Sequence, residues 1–413
     1  MSTLSPPTTP PRALPRGGRR FKSITSPCEW IEDYRPGGYH PVVLGDIFND
    51  QYKVIRKLGE DSYSTVWLAL DLKHNGYVAL KILVSKISDS TTELQTLRHL
   101  IEVAPVEGAR YITRLLGEFE HHGPNGLYKC LVFEPTGPSV NHMVEKLPQF
   151  NPRKRHMKVR YPIWMAKSIL KQSLQALVFL HENGIAHGDF QPGNMLFTLN
   201  DIDSTPKDSL RQQEDVQAQS ISPPGFKLKL SDLGAAYFFT NPPTKPVTPR
   251  GLRAPELVLT GSYNNTVDVW SFGCLLFELI TGQQLFCVPY SEMADDDHIL
   301  SLTSQLGPLS EDLYKHWTNS SLYFTPEGKL FNCELGGVSP GDEPLMLDQP
   351  SMEGSFDQAG PEIGEEEARK VKALIRWILQ YDPAKRPSAA EILADPWFCE
   401  IDVEGGPPNI SSV

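Results

Sequence analysis

Several features that would assign this sequence to a class of protein are missing from it. Its six cysteines lie far apart and form no CxxC pair, which disfavours a zinc site and fits reduced thiols in a cytosolic or nuclear protein. No run of about 18 apolar residues occurs, so we expect no membrane-spanning segment. Internal repeats are absent as well. The net charge of −11 argues against a nucleic-acid binder, which needs a basic face, and is compatible with a basic protein partner.

The first 28 residues differ from the rest of the chain, because they contain five basic residues and no acidic one. This bias is typical of mitochondrial transit peptides, but several prolines oppose the amphipathic helix that such peptides form. We therefore predict a disordered basic tail over 1–28, with mitochondrial targeting as the alternative. Across the whole chain 40% of the residues are hydrophobic, which is enough to build sizeable cores.

Hydrophobic periodicity divides the remaining chain into two parts. Short strand-like runs separated by turns predict an antiparallel sheet, and a helical period with one apolar face follows them. These elements cover residues 52–58, 65–70, 77–83, 91–101, 112–119 and 128–133. The later part is mostly helical, with predicted helices at 163–182, 267–280 and 365–379. Two polar or Pro- and Gly-rich stretches, 200–225 and 339–364, are predicted to be loops.

Four short segments and one arginine stand out in the second half of the sequence. The segments are 187–194 (HGDFQPGN), 228–234 (LKLSDLG), 254–256 (APE) and 268–273 (DVWSFG), and the arginine is Arg386. The acidic, amide and glycine residues of the segments are individually explained by turn formation, since Asp, Asn and Gly are common in turns. Their order along the chain, with residue 254 coming 22 residues after residue 232, makes that explanation inadequate. Together they resemble the eukaryotic protein kinases.

This resemblance implies an α+β, bilobal protein kinase fold with a small β-rich N-lobe that has one main helix and a larger, mostly helical C-lobe. It implies that Asp189 accepts the proton of the substrate hydroxyl, and that Lys81 and Glu93 form an ion pair. Asn194 and Asp232 are then expected to hold Mg²⁺. The implied reaction is transfer of the ATP γ-phosphate to serine or threonine of a protein, and Arg386 is expected to be the buried partner of the glutamate in the 254–256 segment.

The same resemblance assigns nucleotide contacts and domain limits. The residues expected to contact ATP are those of the first turn, the lysine strand and the hinge: Leu58, Gly59, Glu60, Asp61, Ser62, Tyr63, Ser64, Thr65, Val66, Lys81, Glu134 and Thr136. The expected domains are the tail 1–28, the N-terminal extension and N-lobe 29–134, the C-lobe 135–400 with its loops 200–225 and 339–364, and a C-terminal tail 401–413.

Within the kinases the chain resembles the SR protein kinases, over roughly residues 29–398, as a divergent fungal-type member. The segments that carry this resemblance include 33–40 (DYRPGGYH), 131–134 (LVFE), 232–234 (DLG), 296–299 (DDHI) and 323–328 (YFTPEG). It implies a basic, arginine-serine-rich protein substrate and a role in the regulation of mRNA splicing. It further implies a monomer in cytoplasm and nucleus, with no direct contact to nucleic acid or membrane.

An acidic insert formed by Glu292, Asp295, Asp296 and Asp297 is the expected docking site for such a substrate. The alternative is that these acids cap a helix beginning near His298.

Three residues depart from the usual kinase pattern. Asp61 stands where a second glycine is usual in the loop that covers the ATP phosphates. In the catalytic loop, residues 187–194, Gln191 replaces the usual lysine. In the same loop Gly188 replaces an arginine that in many kinases binds a phosphorylated activation segment. Because of Asp61 and Gln191, the alternative stays open that the chain is a pseudokinase, which keeps the kinase fold as a binding module and has lost the chemistry or retains only a trace of it. A small-molecule phosphotransferase shares the 187–194 pattern, but such enzymes lack the later segments from 254 to Arg386 that build a peptide platform.

Overall fold

The structure is a computed structural model that describes residues 29–87, 92–103, 108–146, 160–199, 202–204, 210, 226–288, 291–333, 343 and 350–403. The tail 1–28, most of the predicted loop 200–225 and the first part of the loop 339–364 lie outside these residues. Among the described helices, none is both long and apolar enough to cross a membrane.

The chain forms two compact units. Of the described residues, the first unit contains 29–87, Leu116–Phe133 and residue 210. The second unit contains 92–103, 108–115 and the described residues after Phe133 other than residue 210. We describe each unit by itself.

The first unit contains a six-stranded antiparallel sheet with the order β1-β2-β3-β4-β6-β5. Its strands are β1 (Ile47–Phe48), β2 (Tyr52–Glu60), β3 (Ser64–Asp71), β4 (Tyr77–Leu83), β5 (Leu115–Gly123) and β6 (Gly126–Phe133). Every residue of β4 is buried, so side chains on both faces of this strand are covered. Phe48, Leu80 and Tyr128 are at the centre of the core.

An N-terminal extension precedes this sheet and is part of the same unit. Gly37 and Gly38 bind the segment after β4, because their carbonyls accept the backbone N–H groups of Lys86 and Ser85. Asn125, in the turn between β5 and β6, donates its side-chain amide to the carbonyl of Tyr39 at 2.9 Å. The extension is therefore packed as part of the first unit's fold.

The second unit is mainly helical. Its helices are α1 (Thr92–Val103), α2 (Val140–Lys146), α3 (Ile163–Glu182), α4 (Pro255–Leu259), α5 (Thr266–Thr281), α6 (Ala294–Leu306), α7 (Glu311–Tyr314), α8 (Met352–Ala359), α9 (Glu365–Ile378), α10 (Ala389–Leu393) and α11 (Pro396–Cys399). Its short strands are β7 (Thr136–Ser139), β8 (Ile185–Ala186), β9 (Met195–Thr198), β10 (Leu228–Leu230) and β11 (Tyr237–Phe238), which pair as β10-β9-β7 and β11-β8. Helix α5 is buried on nearly all sides, as its continuous apolar sequence predicts.

The predicted α+β architecture is confirmed, and four details differ. Helix α1 groups with the second unit, where it packs on the turn after residue 232 and on β11. Strand β5 begins at Leu115, three residues later than expected. Helix α8 lies inside the stretch predicted to be a loop, where Ser351 caps its start and Gly360 ends it in the left-handed conformation. Helix α6 begins at Ala294, before the expected start near His298.

Candidate active site

A buried carboxylate anchors the segment 187–194, which follows β8. Asp268, in the first turn of α5 and 1% exposed, accepts the backbone N–H of His187 at 2.7 Å and that of Gly188 at 2.9 Å. His181 of α3 also contacts this carboxylate, at 3.1 Å. Buried polar groups are costly unless paired, so these three donors fix the loop to the core helix.

His187 links this loop to residues 228–234, the segment that contains Asp232. Its Nε2 donates to the carbonyl of Ser231 at 3.1 Å, and its Nδ1 accepts the backbone N–H of Asp189 at 3.2 Å. The two contacts assign one tautomer, with the proton on Nε2. The ring is fully buried, so the histidine positions Asp189 from within the core.

The carboxylate of Asp189 is held by two neighbouring amides. Gln191 Nε2 lies 2.8 Å from each of its oxygens, and Asn194 Nδ2 lies 2.9 Å from Oδ2. Burial raises the pKa of Asp189, and the nearby negative charge of Asp232 adds to the rise, whereas the hydrogen bonds donated by the amides of Gln191 and Asn194 oppose it. The residue is thus a partly buried, oriented carboxylate, which is what a general base requires.

Asn194 and Asp232 supply the oxygens that fit a magnesium ion. The amide nitrogen of Asn194 faces Asp189, which leaves its side-chain oxygen for another partner, and its carbonyl accepts both the backbone N–H and the hydroxyl of Ser231. Asp232 follows in the left-handed conformation, with φ of 59°. Carboxylate and amide oxygens are the hard ligands that Mg²⁺ prefers, so the donor set fits this ion.

Glu93 of α1 lies beside this turn in the second unit. A side-chain carbon placed on Gly234 would be 3.2 Å from Asp232 Oδ1 and 3.8 Å from Glu93 Oε2, so both carboxylates border the same glycine. Glu93 is 5% exposed. The structure therefore brings together Glu93 and Asp232, two residues that the sequence assigned to different tasks.

Lys81 lies in the first unit at the middle of the sheet. It pairs in register with Val66 of β3 on one side and with Leu131 of β6 on the other, and it is 7% exposed. A buried lysine at a central strand position is strongly oriented, because the strands on both sides fix its backbone.

The turn between β2 and β3 is organised by Asp61, whose side chain folds back onto its own loop. Its Oδ1 accepts the backbone N–H of Tyr63 at 2.5 Å, and its Oδ2 accepts the hydroxyl of Ser64 at 2.6 Å. Tyr39 of the N-terminal extension donates its hydroxyl to the Asp61 carbonyl at 2.6 Å. Asp61 therefore acts as an Asx-type turn residue here, a role that its position in place of a glycine did not indicate.

The other residues expected to contact ATP take different environments. Leu58 and Tyr63 are exposed, and Ser64 and Thr65 are buried. Glu60 is salt-bridged to Lys57, which also binds the nearly buried Glu29. Of the two hinge residues, Glu134 accepts hydrogen bonds from the backbone N–H of Arg114 and from the ammonium of Lys229 with its carboxylate. The other, Thr136 of β7, pairs with Thr198 of β9. Gly59, Ser62 and Val66 complete the set in the strand pair and its turn.

The predicted partnership of Glu256 and Arg386 is confirmed. Two guanidinium nitrogens of Arg386 contact the two carboxylate oxygens of Glu256 at 2.6 and 2.7 Å, and both side chains are buried. The guanidinium also lies over the Trp270 ring, 4.8 Å from its centroid. This pair ties the end of the activation segment to the core of the second unit.

The activation segment, 232–256, bonds directly to the catalytic loop. Thr248 is buried and donates its hydroxyl to the carbonyl of Gly188 at 2.6 Å, and Arg253 donates to the Thr248 carbonyl at 2.6 Å. Gly188 has φ of 75°, and a side-chain carbon there would lie 2.5 Å from the carbonyl oxygen of Ala235. The glycine in place of the usual arginine is thus required by the backbone of this loop.

The four acids of the expected docking insert separate into two pairs. Asp296 accepts the indole N–H of Trp317 at 2.7 Å, and Asp297 is 1% exposed and accepts the Ser291 hydroxyl at 2.6 Å. Glu292 and Asp295 are exposed. The N-cap of α6 is Met293, which makes no side-chain cap, so the alternative that Asp296 or Asp297 caps this helix is wrong.

The protein kinase domain family matches residues 52–398 of this sequence. That region holds strands β2 to β6 of the first unit and the catalytic segments of the second. The chain therefore belongs to the protein kinase family, and it is an ATP-dependent serine/threonine protein kinase.

Individual relatives indicate which type of protein kinase this chain resembles. The chain is 31% identical to the serine/threonine-protein kinase SRPK of Physarum polycephalum, over 90% of this chain and 92% of that protein. It is 26% identical to the protein kinase dsk1 of Schizosaccharomyces pombe, with 93% and 87% covered, and 28% identical to the human dual specificity protein kinase CLK2, with 95% and 70% covered. The predicted SRPK-like type is confirmed, and the modest identities mark a divergent member.

Proposed function

We propose that this kinase phosphorylates serine, or threonine, in basic, arginine-serine-rich segments of proteins, and so regulates mRNA splicing. The observation that carries its catalytic part is the oriented Asp189 carboxylate, held by Gln191 and Asn194 in a loop anchored on Asp268. The substrate class is supported by the SRPK-type relatives, the net charge of −11 and the exposed acids at the start of α6.

In the proposed reaction, ATP bound with Mg²⁺ supplies the transferable γ-phosphoryl group. Asp189 orients the serine hydroxyl and accepts its proton as the new O–P bond forms and the bond from the γ-phosphorus to the bridging oxygen of ADP breaks. Asn194 and Asp232 would hold Mg²⁺, which would offset phosphate charge, and Lys81 would contribute a further positive charge to the bound ATP. Gln191 keeps the Asp189 carboxylate in one orientation through its two hydrogen bonds.

Docking of the substrate is proposed to use Glu292 and Asp295, because Asp296 and Asp297 are engaged inside the fold. Asp295 already pairs with Arg250 at 3.0 Å and lies 3.8 Å from Arg253, so an incoming arginine competes with these contacts. Exposed ion pairs are individually worth under about 1 kcal/mol, which makes such exchange cheap. Affinity would come from several arginines at once, and it would fall steeply with salt.

A double change, Glu292→Ala with Asp295→Ala, tests this docking. We expect a raised KM for a long arginine-serine-rich substrate and an unchanged KM for a short serine peptide. Equal effects on both substrates, or none, would leave these acids as surface charge only.

The alternative function is a pseudokinase, and Gln191 is the residue that favours it, because a neutral amide replaces the usual cation. Asp61 no longer supports this alternative, since its carboxylate is bonded within its own turn. Transfer of labelled γ-phosphate to an arginine-serine-rich peptide, against the same peptide with alanine for serine, decides between the two. We expect incorporation on the serine peptide alone; none on either would favour the pseudokinase. We also propose that the kinase is a monomer located in cytoplasm and nucleus.

A further inference from the structure

Residues 37–39 of the N-terminal extension contact two elements of the first unit that are expected to bind ATP. One element is the phosphate loop, residues 59–64 between β2 and β3. The other is the chain that directly follows β4, the strand of Lys81. Each contact is a hydrogen bond between residues of the first unit. The extension therefore links the phosphate loop to the strand of the lysine.

On the loop side, the contact is made by the side chain of Tyr39. Its hydroxyl donates to the backbone carbonyl of Asp61 at 2.6 Å. Asp61 also organises the loop itself, because its backbone N–H donates to the Ser64 carbonyl at 2.9 Å and its carboxylate accepts from Tyr63 and Ser64. Tyr39 thus holds the residue on which the loop's own hydrogen bonds converge, while the tip at Ser62 and Tyr63 is exposed.

On the strand side, the contact is made by the backbone of the extension. The carbonyl of Gly38 accepts the backbone N–H of Ser85 at 3.1 Å. The preceding residue, Val84, donates its own N–H to the carbonyl of Tyr63 in the phosphate loop at 2.8 Å. Both residues directly follow the strand that carries Lys81. Together with the tyrosine hydroxyl, these bonds join extension, loop and strand end in a closed ring of contacts.

The extension is itself fixed by the core of the first unit. The backbone N–H of Tyr39 donates to the Asp33 carbonyl at 3.1 Å. Its carbonyl accepts the Asn125 amide at 2.9 Å and the Tyr128 hydroxyl at 3.3 Å. The next residue, His40, is buried with its ring centroid 4.8 Å from that of Tyr128. Because Tyr39 is held from the core, its hydroxyl sets the position of the more exposed loop.

We propose that Tyr39 is a positioning residue for ATP, which acts through Asp61 by holding the phosphate loop in place relative to the strand of Lys81. A loop that is already ordered loses less conformational freedom when it closes on phosphates, so it binds them more tightly. The proposal also gives a physical reason why an aspartate is accepted where a flexible glycine is usual. It concerns the nucleotide, so it does not depend on which protein substrate the kinase phosphorylates.

The test is Tyr39→Phe, which removes the hydroxyl and keeps the ring. We expect the Kd of ATP with Mg²⁺ to rise about fivefold, as for the loss of one neutral hydrogen bond. The Kd of adenosine should stay unchanged, because adenosine carries no phosphate. The matched control is Tyr161→Phe, which loses a tyrosine hydroxyl bonded to the Val140 carbonyl at 2.5 Å in the second unit. Both Kd values should be unchanged in this control. Calorimetric titration measures the binding of ATP, and competition measures that of adenosine.

Two further measurements separate positioning from a general loss of structure. In steady-state kinetics the KM for ATP should rise about fivefold in Tyr39→Phe, with kcat and the KM for the peptide within about twofold. In hydrogen exchange the amide of Tyr63 should exchange faster, and the amides of β4 should keep their rates. A lower kcat with an unchanged KM for ATP would overturn the proposal, because it reports only a smaller folded fraction. Equal weakening of ATP and adenosine would contradict it as well, since the effect would then not lie at the phosphates.

Discussion

The Nε2 atom of Gln191 lies 2.8 Å from both carboxylate oxygens of Asp189, so one neutral amide spans the proposed catalytic base. In the usual kinase pattern a lysine occupies this position. The substitution leaves the base oriented and removes a charge-assisted contact to the transferred phosphate.

Restoring the cation, in Gln191→Lys, is expected to raise kcat by about tenfold, because a charged hydrogen bond is roughly twice as strong as a neutral one. Steady-state kinetics with an arginine-serine-rich peptide measures this effect. An unchanged kcat in a correctly folded variant would mean that the site is already adapted to glutamine.

Removal of the base, in Asp189→Ala, should lower kcat by about 10²–10⁴, the usual contribution of a positioned general base. Nucleotide affinity should remain close to that of the unchanged protein, whereas Asp232→Ala should also weaken magnesium-dependent ATP binding. Calorimetric titration with ATP, with and without Mg²⁺, separates these results. Turnover that is unaffected in Asp189→Ala would refute the assignment.

Gly188 has no room for a side chain, because its φ is 75° and an added side-chain carbon would lie 2.5 Å from the carbonyl oxygen of Ala235. We expect Gly188→Ala to lower the free energy of unfolding by about 1–3 kcal/mol and to reduce activity. The control is Gly261→Ala, which has φ of 65° but nothing within 4 Å of the added carbon. Its cost should be about 1 kcal/mol, from backbone strain alone. Equal losses in denaturant unfolding would show that the contact with Ala235 carries no weight.

The activation segment is expected to work without phosphorylation. Thr240 and Thr244 are exposed, and Thr248 is buried against the Gly188 carbonyl. Phosphatase treatment should therefore leave activity unchanged, as should Thr240→Ala and Thr244→Ala. Thr248→Val, in contrast, should lower kcat, because it removes a hydrogen bond to the catalytic loop. Activity that appears only after another kinase modifies the segment would contradict this.

Glu278, near the C-terminal end of α5, should make the free energy of unfolding depend on pH. Its folded pKa, about 6, lies above the ordinary 4.5, so its burial costs nothing below 4.5 and becomes unfavourable as pH rises through 6. Glu278→Gln should therefore be more stable than the unchanged protein by about 1–2 kcal/mol above pH 7, with no difference in acid. Thermal unfolding across this range measures it, and a constant offset at every pH would exclude a titrating carboxyl.

The sequence predicted the elements that have a strong apolar pattern. Strand β4 begins and ends at the predicted residues because it is a short, nearly continuous apolar run, and α3 does so because its apolar residues follow a helical period. Helix α8 was missed because it is only eight residues long and lies within a Pro-, Gly- and acid-rich stretch, although its buried residues Met352, Phe356 and Ala359 follow a helical spacing. The cap at Ser351 and the glycine at 360 were further signals of a helix.

The site was predictable as a set of residues but not as a set of contacts. Asp189, Asn194 and Asp232 follow from motif order along the chain. The bond from Tyr39 to the Asp61 carbonyl joins residues 22 positions apart, and the Arg250–Asp295 pair joins residues 45 apart. No spacing rule connects such positions, because they meet only after the chain has folded.

Asp268 has a consequence for how the catalytic loop fluctuates. The amide hydrogens of His187 and Gly188 point at a carboxylate that is 1% exposed, inside the core of the second unit. Amides in such a setting exchange with deuterated solvent only when the surrounding core opens. Their exchange rates should therefore match those of the central residues of α5, and fall far below those of the exposed segment around Thr244. The loop that performs the chemistry would then be among the last parts of the second unit to take up deuterium.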